Sequence, residues 1–255
     1  MAKVKDRIGE ENINKFGSKM IITKYINAHN IDVYFPEYDW TAINKQYNKF
    51  KKGDIGCPYQ PTVFGVGYIG EGKYNVKENN KTTECYTKWH SMLQRCYSEK
   101  FQLEKPTYKN CEVCEEWLNY QNFAKWYYEN YYEIKNETMC LDKDILVKGN
   151  KIYSPSTCVF VPNRINTLFI KSDKARGEYP IGVYYYKQTD KFKAQCNNGY
   201  KNRINLGYYN TLEEAFNSYK IYKENLIKEI ANEYKELIPT KLYQAIINYK
   251  IEIND

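Results

Sequence analysis

Two periods divide the last third of the chain. Between Tyr179 and Gly207, apolar residues fall on alternate positions: Val183 and Tyr185, then Phe192, Ala194 and Cys196, then Ile204 and Leu206. That is the period of strands with one buried face. The tripeptides Gln188-Thr189-Asp190 and Asn197-Asn198-Gly199 between them are turn material. From Leu212 the period changes. Leu212, Ala215, Phe216, Tyr219, Leu226, Ile230 and Tyr234 share one helical stripe. Thr211, three residues before Glu214, forms a capping box that starts this helix. The pattern predicts three short antiparallel strands covered on one face by one long helix.

The other face of that sheet is then left to solvent. By alternation it carries Tyr184, Tyr186, Lys193, Gln195, Asn197, Arg203 and Asn205, nearly all able to donate a hydrogen bond or to stack. From Lys174 to Gly207 there are seven basic residues (Lys174, Arg176, Lys187, Lys191, Lys193, Lys201, Arg203) and two acidic ones (Glu178, Asp190). The local balance is +5 of a whole-chain +7. A ribbon with such a face suits the major groove, which admits β-structure. A solvated sheet face in a basic protein is the plainer alternative.

Upstream, the pattern predicts a small β-rich unit over residues 1–78. Met20 to Ile22 and Ile31 to Phe35 read as strands joined across Asn27 to Asn30. Gly65, Gly67, Gly70 and Gly72 then read as a flexible joint. The run from Gly65 to Gly70 spells a dinucleotide fingerprint, but no helical pattern follows it. Residues 79–172 make a middle unit. Trp89, Met92, Leu93 and Cys96 mark one helix, and Trp117, Tyr120, Phe123, Trp126 and Tyr127 mark a second that runs to Tyr132. A strand over Leu141 to Leu146, a turn at Lys148 to Asn150, a strand over Thr157 to Val161 and a helix opening at Pro162 complete a ββα arrangement. The expected fold class is α+β. Its third domain is the sheet and helix of 173–238, and a short helix follows over 239–255, marked by Leu242, Ala245, Ile246 and Tyr249.

Several of these residues carry a family resemblance. Gly182-Val183-Tyr184, Phe192-Lys193-Ala194-Gln195, the corner Leu206-Gly207-Tyr208, and Thr211 with Glu213-Glu214-Ala215 resemble the AP2/ERF DNA-binding domain. The resemblance implies a sheet lying in the major groove of double-stranded DNA. The contacts would fall on Tyr184, Tyr186, Gln195, Asn197, Arg203 and Asn205. Several family arginines are Tyr or Asn in this chain, which leaves Arg203 for a bidentate guanine contact. The segment Cys140 to Phe169, with its lead-in Trp89-x-x-Met92-Leu93-x-Arg95-Cys96-Tyr97, is similar to the HNH (ββα-metal) nucleases encoded by phages. In those an AP2-like domain often follows the nuclease. The resemblance implies Mg²⁺ or Mn²⁺ held by Asp142 and Asn166. The family's catalytic histidine is replaced by Lys143 and its bracing asparagine by Thr157.

That replacement changes the chemistry. A histidine near pKa 6.5 can take a proton from attacking water. An ordinary lysine near 10.4 is already protonated. Lys143 would therefore stabilise charge on the phosphorane, with Asp144 as a second ligand or as the base. Of the two histidines, His29 and His90, the latter lies on the first helix of the middle unit. The primary expectation is a DNA-binding endonuclease that hydrolyses phosphodiesters. The alternative is a scaffold that has lost catalysis and acts as a phage regulator, or as an inhibitor of a host system, by binding DNA or protein.

Composition adds limits. No run of 18 apolar residues exists, so no membrane partner is expected. The segment MAKVKDRIGEEN has no apolar core of the kind a secretory signal needs. Eight cysteines in 255 residues then read as reduced thiols in a bacterial cytoplasm. Cys111-x-x-Cys114 has zinc spacing but no second pair of that spacing, and Cys96 with Cys140 or Cys158 would have to complete the set in space. A structural zinc is not expected.

Overall fold

A computed structural model describes residues 6–170, 178–199 and 202–255. The fold is mixed α and β. The chain divides into two compact units, Met1–Glu129 and Asn130–Asp255. The division falls inside the segment 79–172, while the boundary expected at 172/173 lies outside the described residues.

The first unit opens with a four-stranded antiparallel meander, β1 (Glu11–Ile13), β2 (Lys19–Asn27), β3 (Asn30–Phe35) and β4 (Trp40–Lys45), paired in sequence order. Period 2 is plain in β3, where Ile31, Val33 and Phe35 are fully buried and the residues between them are not. These side chains pack with Met20, Ile22, Ala42 and Phe50 into one core. Phe50 comes from a short helix, α1 (Tyr47–Lys51). The glycine-rich segment is not a joint. The Tyr68 amide donates to the Leu118 carbonyl at 3.0 Å, and the Tyr120 amide donates to the Tyr68 carbonyl at 2.9 Å. The Gln121 side chain takes the Tyr74 amide at 3.0 Å and returns a bond to the Tyr74 carbonyl. Backbone so tied is fixed, whatever its glycine content.

Both expected helices of this unit form. In α2 (Glu84–Tyr97), capped by the Thr83 hydroxyl, the stripe Trp89, Met92, Leu93 and Cys96 is buried. The second is broken at Asn119, whose extended backbone separates α3 (Glu115–Leu118) from α4 (Tyr120–Asn130). The two helices meet through the Trp89 indole, which donates to the Trp117 carbonyl at 2.7 Å.

The second unit contains β5 (Met139–Asp142) and β6 (Val159–Pro162), an antiparallel pair, followed by α5 (Asn163–Asn166). The strand expected to run on to Leu146 ends at Asp142, because the Asp142 carboxylate turns the chain there. Its Oδ1 accepts the amides of Asp144 at 2.9 Å and Ile145 at 2.8 Å. Then come β7 (Val183–Tyr186), β8 (Lys191–Asn197) and β9 (Arg203–Tyr209), an antiparallel sheet in that order. The long helix α6 (Leu212–Glu233) follows, with both bonds of the Thr211–Glu214 capping box formed. After Pro239, α7 (Thr240–Ile247) packs Leu242 and Ile246 back onto the unit.

One core joins the ββα segment to the sheet and α6. Val159, Val161, Ile165 and Leu168 of the ββα segment lie in the same cluster as Val183, Ala194 and Cys196 of the sheet. Ala215, Tyr219, Ile227 and Ile230 of α6 complete it. The expected boundary between a ββα domain and a sheet domain therefore does not separate two cores. Arg164 ties the segment to α6, with its guanidinium on both carboxylate oxygens of Glu233 at 2.5 and 3.2 Å.

Candidate nucleic-acid interface

The outer face of β7–β9 is built by cross-strand pairing. Tyr186 pairs with Lys191, and Tyr184 pairs with Lys193. Lys193 pairs in turn with Tyr208, Gln195 with Asn205, and Asn197 with Arg203. Beneath them α6 covers the central strand, so Ala194 and Cys196 are buried. Tyr184, Asn197, Arg203, Asn205 and Tyr208 are exposed, and Tyr186, Lys191, Lys193 and Gln195 are half-buried among them. Each of the seven residues expected on this face is on it. Of the basic residues expected to surround it, Lys174, Arg176 and Lys201 lie outside the described residues.

Tyr208 is the member that strict alternation misplaces. Counting on from Ile204 and Leu206 puts Tyr208 on the core side. The register instead jumps, because Ala194 faces Gly207 while Gln195 faces Asn205, leaving Leu206 as the extra residue of a bulge. Parity reverses there, so Tyr208 turns outward and Tyr209 inward. The sequence signal is Gly207, with φ at 132°, since a glycine inside a strand marks a bulge. Lys191 is also on the face and was legible from its alternation with Lys193. A second difference concerns Tyr185 and Ile204. Both have core parity, yet they are 39% and 37% exposed. They sit on the two edge strands, beyond the part of the sheet that α6 covers.

Electrostatics and stacking hold the face in shape. The Lys193 ammonium lies 5.9 Å from the Tyr208 ring centre, and the Tyr186 and Tyr208 rings are 5.3 Å apart. The Tyr186 hydroxyl donates to Gln188. Asn197 Oδ1 accepts the Gly199 amide at 2.8 Å, and Asn205 Oδ1 accepts the Gly207 amide at 3.3 Å. These bonds leave the amide –NH₂ groups of both asparagines for a ligand. Behind the sheet, Lys223 of α6 is buried, and desolvation lowers its pKa.

The second constellation is Asp142, Lys143 and Asp144. Burial first, and the charge of Asp144 second, raise the Asp142 carboxyl to about 6. The two backbone amides on Oδ1 and the Lys143 charge pull the other way. Lys143 is buried, with Nζ 3.3 Å from Asp144 Oδ2 and 5.8 Å from the Tyr153 ring centre. The Asn150 amide holds the Lys143 carbonyl at 2.7 Å. The Thr157 hydroxyl donates to the Ile152 carbonyl at 2.8 Å. Asn166 closes α5.

A divalent ion would have to compete here with partners the carboxylates already hold: Asp142 Oδ1 accepts two backbone amides, and Asp144 Oδ2 pairs with the Lys143 ammonium. Among the described residues, no group of three His, Cys, Asp or Glu side chains is arranged to hold a metal ion. His90, on α2 of the first unit, rests its ring against Phe64 and Tyr86 at 4.8 and 5.9 Å. The eight cysteines are free thiols. Among the described residues no helix is long and apolar enough to cross a membrane. Comparison of the chain with family models, with curated proteins and with solved structures gives no match.

Proposed function

We propose that this chain is a double-stranded DNA-binding protein. The outer face of β7–β9 enters the major groove, and the ββα segment serves as the scaffold that holds α6 behind it. One observation carries the reading. Lys191, Lys193 and Arg203, three amides and three tyrosines share one uncovered sheet face in the most basic stretch of the chain. Lysines and the arginine provide phosphate attraction, and amides and rings provide contacts to base edges.

The scaffold assignment is supported by the shared core and by Lys143. Lys143 Nζ is 3.3 Å from Asp144 Oδ2, so the position expected to hold the family's histidine holds an ion pair to a carboxylate expected to act as ligand or base. No hydrolytic step is therefore assigned. Two measurements test the reading together. In electrophoretic mobility shifts, a 25–30 base-pair duplex should be retarded, and Arg203→Ala with Lys193→Ala should weaken binding at least tenfold. Supercoiled plasmid incubated with Mg²⁺ or Mn²⁺ should stay intact. Nicking that disappears in Asp142→Ala would return the nuclease reading in place of the scaffold.

A further inference from the structure

We propose that the outer face of β7–β9 reads adenine–thymine pairs, with Gln195 as the central adenine-specific residue. This rests on the DNA-binding reading above and goes beyond it by assigning base chemistry. Adenine in the major groove offers the N7 acceptor beside the N6 donor, a pattern matched by the carboxamide of Gln or Asn. Guanine offers two acceptors, which suit the guanidinium of Arg and, as a point charge, Lys. Thymine adds a methyl group that calls for an apolar surface.

Set against this code, the face divides into two zones along the strands. One end has Gln195 opposite Asn205, then Asn197 opposite Arg203. Three of those four residues carry amides. Among the described residues no hydrogen bond takes up the Gln195 amide, so both its donor and its acceptor are available. The asparagines have spent one acceptor on the neighbouring backbone and keep their donors, a poorer adenine match. Gln195 also sits on the central strand, the part of the sheet a groove meets first.

The other end is the row Tyr184, Lys193, Tyr208, with Tyr186 behind it. Rings of Tyr184 and Tyr208 flank a lysine and present the apolar surface that thymine methyls require. Lys193 lies over the Tyr208 ring and reaches for phosphate rather than a base edge. Successive outward residues on a strand are about 6.8 Å apart, close to two base-pair steps of about 3.4 Å. The Tyr184–Lys193–Tyr208 row, the Gln195–Asn205 row and the Asn197–Arg203 row thus fall on a site of five or six base pairs by this spacing. Among the described residues Arg203 is the one guanidinium on the face, and it stands at its end, which places a guanine at the edge of an otherwise adenine–thymine site.

Competition binding tests this with the full chain and three 24-base-pair duplexes at one salt concentration. These are alternating A·T, alternating G·C, and alternating A·T in which 7-deazaadenine replaces adenine. The last removes the N7 acceptor of the major groove and leaves the minor groove unaltered. We expect about tenfold preference for A·T over G·C, and loss of most of it both on 7-deazaadenine substitution and in Gln195→Ala, with the remainder owed to thymine methyls on Tyr184 and Tyr208. The Gln195→Ala affinity for the G·C duplex should be unchanged, which shows the variant is folded. Equal affinities, a G·C preference, or A·T preference untouched by 7-deazaadenine would overturn the base assignment while leaving DNA binding intact. Failure to bind any duplex at low salt would instead overturn the function beneath it.

Discussion

At the scale of single residues, Asp142 shows how one carboxylate shapes the second unit. It ends β5, turns the chain through two backbone bonds, and does so half-buried within reach of the Asp144 charge. Its carboxyl is raised to about 6 in the folded state from an ordinary value of 3.8. The folded protein therefore binds this proton more tightly than the unfolded chain. Asp142 contributes stability that is full below about pH 4 and is lost as pH rises toward 6. Asp142→Asn keeps an oxygen for the two amides and removes the disfavoured charge. Its melting temperature at pH 7 should exceed the wild type's, and the difference should vanish at pH 4, as scanning calorimetry would measure. A variant destabilised equally at both pH values would contradict this. Lys223 follows the same logic for a cation. Lys223→Met should stabilise the protein by about 1 kcal/mol, because the ammonium is buried behind the sheet and disfavoured there.

Legibility in the sequence was uneven at this scale. The seven outward residues followed from period 2 alone. Tyr208 did not, because a bulge at Leu206 reverses the count and only Gly207 hints at it. Lys143 stands out in the sequence because the HNH resemblance expects a histidine there. Its burial against Asp144 depends on a fold that brings Tyr153 beneath it, which no local pattern encodes.

At the scale of elements, the sheet and α6 were read nearly to their ends, since alternation, turn chemistry and the capping box agree there. Thr211→Ala should cost about 1 kcal/mol in urea unfolding, through loss of the bond to the Glu214 amide. Gly182, with φ at 81°, lets the start of β7 lie against the Tyr219 ring, where a Cβ would collide. Gly182→Ala should cost more, roughly 2 kcal/mol or above, and should loosen the tyrosine end of the sheet. A Gly182→Ala cost no larger than that of Thr211→Ala would mean the helix and sheet pack less tightly than described. Less was legible in the connections. Glycines between 65 and 72 suggested a joint, but hydrogen bonds to Leu118, Tyr120 and Gln121 hold the segment, and those partners are about 50 residues away in the chain.

Across the whole molecule, the sequence suggested a separate middle domain, whereas the ββα segment shares its core with the sheet and α6. Residues Val159, Val161, Ile165 and Leu168 read as strand and helix, and nothing local says which core they join. That sharing makes the ββα segment part of the support beneath α6 and the proposed reading face. Of the net charge of +7, +5 falls in the stretch 174–207 from which the face is drawn, so binding should be electrostatic in its dependence on salt.

Duplex affinity measured by fluorescence anisotropy from 50 to 300 mM salt, for the wild type and for Lys191→Ala/Lys193→Ala, tests the central claim most directly. The account predicts a linear fall of log Kobs with log salt for the wild type, and a slope shallower by about 1.8 for the double variant, from about 0.9 per phosphate contact. Absence of binding at 50 mM salt, or identical slopes for the two proteins, would contradict it.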